Sequence, residues 1–207
     1  VGVNPEMDCL AFAASDFCGN LITKKIKVPY VYRNTPENLE RLGEIINEFI
    51  AGLPISKEEI LQVCVNVAER VNPFEGKAYN MFTFLENPLA EKLTELIQLP
   101  VCIENDTRSM AFAEFIKGCC KGMKDVIFVN MCWGLGIGII IDGKLYYGKS
   151  GYSGEFGHMT AYNNNIICHC GKIGCIETEV SGRALKRRLT ENIMAGKPSI
   201  LSDKVLN

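Results

Sequence analysis

The segment from Gly157 to Glu179, GHMTAYNNNIICHCGKIGCIETE, constrains the fold more than any other part of the chain. One histidine and three cysteines in it follow the spacing His-x9-Cys-x-Cys-x4-Cys: His158, Cys168, Cys170 and Cys175. Three thiolates and one imidazole are the ligands of a closed tetrahedral zinc site. Gly171 and Gly174 allow the turn that brings the last cysteine back to the same ion. The sequence therefore predicts a bound zinc ion.

The predicted zinc is structural, because four protein ligands leave no open position for an activated water. His169 is the alternative fourth ligand, and the sequence favours His158. Glu155 and Glu177 flank the cluster, so the metal loop would bring two carboxylates close to the imidazole of His158. Carboxylates accept hydrogen bonds from neighbouring hydroxyls, which is how a polyol or sugar is bound.

Charge and cysteine content narrow the class of protein. The net charge of −2 gives no electrostatic footprint for nucleic acid or an anionic membrane. No apolar run approaches the roughly 20 residues that span a bilayer, and Val1 opens no signal-peptide pattern. Of ten cysteines, several stand singly in apolar runs, where Cys64, Cys102 and Cys132 are predicted to be small buried hydrophobes. Free thiols in this number favour a reducing cytoplasm.

The order of predicted elements indicates two similar α/β halves. The first 30 residues read as strands with a turn at 16–20, and Thr35-Pro36 opens a helix that Gly52 ends. A buried strand, a helix from about Asn87, the strand PVCIE and a helix from about Asp106 to Gly118 follow. Strands VIFVNMC and GIGIII come next, then the hairpin turn Asp142-Gly143, and a final helix is expected at about 177–194.

Several motifs resemble the ROK (repressor, open reading frame, sugar kinase) family. The segments that carry the resemblance are Glu155-Phe156-Gly157-His158 and Cys168-His169-Cys170-Gly171-Lys172-Ile173-Gly174-Cys175-Ile176-Glu177. Supporting matches are Ile103-Glu104-Asn105-Asp106, Gly134-Leu135-Gly136-Ile137-Gly138 and Ile141-Asp142-Gly143-Lys144-Leu145. The resemblance implies an α/β fold of the actin-like ATPase (ribonuclease H-like) type, with two lobes and a sugar in the cleft.

The resemblance also assigns domains and residues. The first lobe would be residues 1–117 and the second 118–207, with a zinc-binding loop at 157–177 and the second lobe incomplete at its C-terminus. The implied sugar-binding residues are Asn105, Asp106, Glu155, His158 and Glu177, and His158 would also ligate zinc. In the family's kinases the residue at Asp106 is the general base.

The chain departs from the family's kinases on the nucleotide side. Their Asp-x-Gly-Gly-Thr phosphate loop corresponds to Asn4-Pro5-Glu6-Met7-Asp8, where Pro5 lacks an amide donor and two carboxylates would face phosphate. Their Gly-Thr-Gly loop reads Cys132-Trp133-Gly134, and their Pro-Gly turn reads Ala68-Glu69-Arg70. Bound ATP-Mg is therefore not expected.

The sugar-binding residues are intact, whereas the phosphate-binding motifs are degraded. This combination predicts the sugar-binding effector domain of a transcriptional repressor. DNA would be contacted only through a helix-turn-helix domain outside this chain, no membrane is involved, and a homodimer or higher oligomer is expected. The alternative is an ATP-dependent sugar kinase of the glucokinase or N-acetylhexosamine kinase type. A third hypothesis is a zinc-stabilised module that has lost its ligand.

Overall fold

The computed structural model describes residues 1–206, so Asn207, the last residue of the predicted second lobe, lies outside the described residues. In chain order the strands are β1 (Gly2–Pro5), β2 (Cys9–Ser15), β3 (Leu21–Pro29), β4 (Val63–Val67), β5 (Val71–Asn72), β6 (Lys77–Ala78), β7 (Val101–Asn105), β8 (Val126–Met131), β9 (Leu135–Ile141) and β10 (Lys144–Leu145). The α-helices are α1 (Pro36–Ala51), α2 (Leu89–Ile97), α3 (Asp106–Ile116), α4 (Gly182–Met194) and α5 (Ser202–Leu206). Short 3₁₀ turns cover Lys57–Glu59, Glu155–His158 and Ile176–Thr178.

A mixed five-stranded sheet in the order β3-β2-β1-β4-β7 forms the first half of the chain. β1 pairs antiparallel with β2 and parallel with β4, and β4 pairs parallel with β7. A second, antiparallel sheet has the order β10-β9-β8, and β5 and β6 form a small ribbon. The architecture is α/β, as the sequence predicts.

Helix α1 begins and ends at the residues that its sequence predicts. Thr35 accepts a hydrogen bond from the Asn38 amide at 3.3 Å, and Gly52 follows the last turn. The apolar face of α1 is buried against the five-stranded sheet, with Phe49 stacked on Phe12 of β2 at 4.7 Å between ring centroids. Each fully buried Leu, Ile or Phe contributes about 1.5–3 kcal/mol to stability.

Helix α3 follows β7 directly and packs against both sheets. Two glycines of β9 permit its close approach. A Cβ at Gly136 would lie 2.8 Å from Thr107 Oγ1, and a Cβ at Gly138 would overlap the Cβ of Ala111. Because backbone meets backbone here, the position of α3 relative to β9 is tightly defined.

The final helix starts later than the prediction of about Glu177. Ile176–Thr178 form a 3₁₀ turn, and α4 begins at Gly182 after Ser181, whose Oγ accepts a hydrogen bond from the Ala184 amide at 3.1 Å. A serine cap ends the irregular segment and opens the helix. Glu177 therefore lies in the 3₁₀ turn before α4 and not in the helix itself.

The prediction of three buried thiols is wrong. Cys64 and Cys102 are only half-buried, and Cys132 is exposed. The alternate residues Val63, Val65 and Ile103 face the core formed with α1 and α2, so the two half-buried thiols lie on the opposite face of the sheet.

The predicted lobe boundary at 117/118 falls just after α3 and stays a prediction.

No helix within residues 1–206 is both long and apolar enough to span a bilayer.

Candidate metal centre and ligand cleft

The four predicted metal ligands converge on one point. The ligand atoms of His158, Cys168, Cys170 and Cys175 all lie within 4.8 Å of one another. His158 Nδ1 is 3.5 Å from Cys168 Sγ, and Cys170 Sγ is 3.7 Å from Cys175 Sγ. Around a tetrahedral zinc with bonds of about 2.3 Å to sulfur and 2.0–2.1 Å to nitrogen, neighbouring ligand atoms lie about 3.5–3.8 Å apart. The donor set and its spacing fit zinc, which would cross-link this loop.

Glycines shape the loop that carries the cysteines. Gly171 and Gly174 have φ of +86° and +75°, a region that costs other residues roughly 1–2 kcal/mol. The Gly171 amide donates to Cys168 O at 2.9 Å, and the Cys168 amide donates to Lys172 O at 2.7 Å. A Cβ at Gly174 would overlap the carbonyl of Tyr162, whereas one at Gly171 would meet nothing.

His169 lies beside the cluster but is engaged elsewhere. Its Nδ1 is 2.8 Å from Glu177 Oε1 and 3.2 Å from Arg183 Nη1, and its ring packs edge-on against His158 at 4.9 Å between centroids. His169 Nδ1 is also 3.8 Å from Cys168 Sγ, and the preference for His158 as fourth ligand stays a prediction.

Glu155 and His158 occupy one 3₁₀ turn, with Oε2 of the glutamate 3.8 Å from Nε2 of the histidine. Burial raises the pKa of Glu155 and lowers the pKa of His158. The neutral imidazole is the form that ligates a metal through one nitrogen.

Glu177 is 6 % exposed and has a partner for each carboxylate oxygen. Oε2 accepts the Leu135 amide at 3.0 Å, and Oε1 faces His169. Burial alone would raise the pKa of Glu177, but the hydrogen bonds from His169 and Leu135 outweigh it and lower the pKa.

Asn105 and Asp106 stand where β7 becomes α3. Asn105 caps α3 by accepting the Arg108 amide at 3.0 Å, and its Nδ2 donates to Glu69 O at 3.1 Å. Asp106 Oδ1 accepts the Thr107 amide at 2.7 Å. Burial raises the pKa of Asp106, although the hydrogen bonds from Thr107 oppose this. The end of β7 thus presents a half-buried carboxyl group.

Arg108 connects Asn105 and Asp106 to the segment that precedes Glu155. The sequence analysis did not identify Arg108 as a functional residue. The side chain is buried and donates to Glu104 Oε1 at 2.7 Å, to Gly151 O at 2.6 Å and to Val71 O at 3.2 Å. Tyr147 donates to the other oxygen of Glu104 at 3.0 Å. Gly151 lies four residues before Glu155. In the sequence, only the position of Arg108 two residues after Asp106 could have identified it, because a single buried arginine produces no periodic pattern.

Each of the three stretches that depart from the kinase motifs includes a bend between regular elements, and Ala68-Glu69-Arg70 connects β4 to β5. Glu6, Met7 and Asp8 form an exposed turn between β1 and β2, and the Glu6 amide donates to Cys9 O at 2.8 Å. The turn between β8 and β9 is tied to the start of α4, where the Gly182 amide donates to Cys132 O at 2.7 Å. Arg183 and Lys186 lie 5.7 and 5.8 Å from the ring centroid of Trp133, at cation–π distance.

His158 and Glu177 lie close together, and Glu155 is 3.8 Å from His158, so the three form one polar cluster. Asn105 and Asp106 lie where β7 becomes α3, and Arg108 links them to the segment before Glu155. An α/β chain with this sheet order and this cysteine loop belongs to the actin-like ATPase fold class. The sequence model of the ROK family matches residues 12–205, and the chain belongs to that family.

Family members of two kinds are similar to this chain. A glucokinase of Streptomyces coelicolor is 34 % identical over 189 residues, covering 90 % of this chain and 57 % of that protein. The xylose repressor of Bacillus subtilis is 30 % identical over 191 residues, covering 91 % of this chain and 49 % of the repressor. The crystal structure of a Streptomyces griseus glucokinase in complex with glucose and AMPPNP is 29 % identical with a TM-score of 0.77, covering 94 % of this chain and 61 % of that chain. The chain therefore spans about half the length of the curated relatives that it matches.

Proposed function

We propose that this chain is the sugar-binding effector domain of a ROK-family transcriptional regulator, with a structural zinc that supports the sugar site. The proposed sugar-binding residues are Asn105, Asp106, Glu155, His158 and Glu177. The proposed zinc ligands are His158, Cys168, Cys170 and Cys175, whose spacing fits the ion. Bound zinc would hold the backbone around Glu155 and Glu177, so that their carboxylates face the sugar hydroxyls.

The turn between β1 and β2 is the observation that favours a regulator over a kinase. In this turn Pro5 has no amide hydrogen, and the amide of Glu6 already donates to Cys9 O. The side chains of Glu6 and Asp8 are exposed and add negative charge. Two unit charges 4 Å apart repel by roughly 4 kcal/mol near a protein surface. The turn is therefore a poor phosphate site, whereas a sugar sensor has no need of one.

A thermal-shift screen of the intact, zinc-loaded protein tests this proposal. The probes are D-glucose, D-xylose, N-acetyl-D-glucosamine and ATP with Mg²⁺. A ligand at 100 times its Kd stabilises the folded state by about 2.7 kcal/mol, which moves the midpoint visibly. Stabilisation by a sugar but not by ATP supports a sensor, and stabilisation by none of the sugars at saturating concentration contradicts it.

An ATP-dependent sugar kinase is the second candidate, and Asp106 favours it. Burial raises the pKa of this carboxyl group, which moves it towards the range of a general base at neutral pH. ATP-dependent phosphorylation of D-glucose that Asp106→Asn abolishes, with sugar affinity nearly unchanged, would establish the kinase. If the full-length, zinc-loaded protein shows no turnover, the kinase is contradicted and the regulator proposal is retained.

The remaining assignments follow from the regulator proposal. DNA would be bound by a helix-turn-helix domain outside these 207 residues, and a homodimer would match the two half-sites of an operator. The many free thiols favour a reducing cytoplasm as the working compartment. Sugar binding would act by favouring one arrangement of the two lobes.

A further inference from the structure

Two thiols lie side by side on a part of the fold that the sugar site does not use. Cys64 of β4 and Cys102 of β7 are direct partners in the parallel register of the five-stranded sheet. Neither is in the core, because α1 and α2 pack on the opposite face. Both are free and half-buried. Both side chains point to the same face of the sheet, on neighbouring strands about 4.8 Å apart.

These two thiols line a cavity of about 650 Å³. Its polar wall includes Ser109 of α3 and Lys144 of β10, and its apolar wall includes Phe112 and Leu145. None of the four proposed zinc ligands and none of the five proposed sugar-binding residues contributes to it. The volume is in the range of small-molecule sites, roughly 300–1,000 Å³.

The paired positions of the two thiols shift their pKa values in opposite directions. A hydrogen bond from Cys64 lowers the pKa of Cys102 to about 7, and the same bond raises the pKa of Cys64 well above its usual value. The pairing therefore favours the thiolate of Cys102 over that of Cys64. Thiolates, not thiols, bind soft metals and electrophiles.

The cavity offers two sulfurs and no free carboxylate next to them. Both oxygens of Glu104, the nearby acidic residue of the lining, accept hydrogen bonds from Arg108 and Tyr147. A tetrahedral zinc would lack its remaining ligands here. A three-coordinate atom needs only two sulfur ligands if its third ligand is an apolar organic substituent. Such an atom would bind to the two thiols, and its substituent would pack against the apolar wall.

We propose that Cys64 and Cys102 form a dithiol site that chelates a monosubstituted trivalent arsenic centre, with the organic substituent packed against Phe112 and Leu145. The reaction is R–As=O plus two thiols giving R–As(S–Cys)₂ plus water. Two As–S bonds form, the As=O bond is broken, the oxygen leaves as water with both thiol protons, and no atom changes oxidation state.

Phenylarsine oxide tests the site in the intact, zinc-loaded protein. Cys119 and Cys120 are adjacent in sequence with sulfurs 3.7 Å apart, so Cys119→Ser/Cys120→Ser is the background for every variant. In this background we expect one tightly bound phenylarsenic per chain by intact mass, displaced by a dithiol but not by excess monothiol. Cys64→Ser or Cys102→Ser should weaken binding by about 100-fold or more, because chelation is lost.

Cys18→Ser, which removes an exposed single thiol, is the matched control and should leave binding unchanged. If either serine variant fails to fold, Cys64→Ala and Cys102→Ala replace it, since alanine keeps a small apolar group on the same face. The proposal is overturned if the background protein binds no phenylarsenic, or if removing Cys64 or Cys102 leaves the affinity unchanged.

Discussion

The carboxyl group of Asp106 shows how burial changes a single residue. Its folded-state pKa lies above the unfolded value because burial disfavours the charged form. For a group with a raised pKa, the contribution to stability is fully present below the unfolded pKa and is lost as pH rises through the folded pKa. At neutral pH, which is above the unfolded pKa, Asp106 therefore opposes folding.

Asp106→Asn should consequently stabilise the protein at pH 7.5, because asparagine keeps an oxygen acceptor for the Thr107 amide without the charge. The advantage should shrink as the pH falls towards 4.5. Urea unfolding at both pH values measures it. Asp8→Asn, at an exposed position in the β1–β2 turn, is the control. An advantage that grows as pH falls would show that the sign is wrong.

Single residues also show where local sequence is sufficient for prediction. Thr35, Pro36 and Gly52 mark the ends of α1 because capping depends on neighbours within three or four positions. The partner of Glu177 could not be predicted in this way. Whether His169 bonds to a carboxylate or a metal depends on the path of a loop closed by distant contacts.

The cysteine loop is the element on which the proposed site depends. Its two glycines with positive φ have unequal surroundings, which provides a matched pair of variants. Gly171→Ala should weaken zinc binding by no more than the cost of its positive φ, roughly 1–2 kcal/mol, because the new methyl group meets no neighbour. Gly174→Ala adds a collision with the carbonyl of Tyr162 and should weaken zinc binding by at least a further tenfold, about 1.4 kcal/mol. Competition with a chromophoric chelator measures both affinities, and equal affinities would argue against this loop path.

Arg108 couples three elements, β5, α3 and the loop before Glu155. Arg108→Met should destabilise the protein by about 3–5 kcal/mol, because the partly buried carboxylate of Glu104 would lose its charged partner and keep only the neutral donors Tyr147 and the Asn105 amide. Arg41→Met, at an exposed arginine paired with Glu44 and Glu48, should have a much smaller effect, because solvent screens exposed ion pairs. Guanidinium-induced unfolding gives both values.

A double variant separates charge burial from packing. Replacing Glu104 by Gln together with Arg108→Met should recover part of the loss, because no unpaired charge remains. Arg108→Lys should recover less than the full stability, since lysine cannot reach three acceptors as a planar fork does. If Arg108→Met proves as mild as Arg41→Met, the three-way contact is not important for stability.

At the scale of the whole molecule, the proposed zinc acts on stability through mass action. Zinc at 100 times its Kd adds about 2.7 kcal/mol, and at roughly 2–4 °C per kcal/mol its removal should lower Tm by about 5–10 °C. Chelation by EDTA should produce this shift in the parent protein and in Cys18→Ser. Cys175→Ser should start from the lower Tm and show no further shift with EDTA. A parent protein indifferent to both zinc and EDTA would contradict a structural zinc.

Much of this molecule follows from the sequence alone. Local patterns predict the order of strands and helices and the caps of α1, because hydrogen bonding and burial within one element depend on near neighbours. The spacing in the cysteine loop also predicts that His158, Cys168, Cys170 and Cys175 lie close together, as they do in the structure. The motifs around Glu155 and Glu177 also identified the family that the comparison then established.

Only the tertiary structure decided which distant residues meet. The contacts of Arg108 with Val71 and Gly151 join positions 37 and 43 residues away. The pairing of Cys64 with Cys102 needs the register of β4 on β7, and their half-exposed state needs α1 and α2 to lie on the other face. Such contacts arise when separate elements pack, and no spacing within one element encodes them.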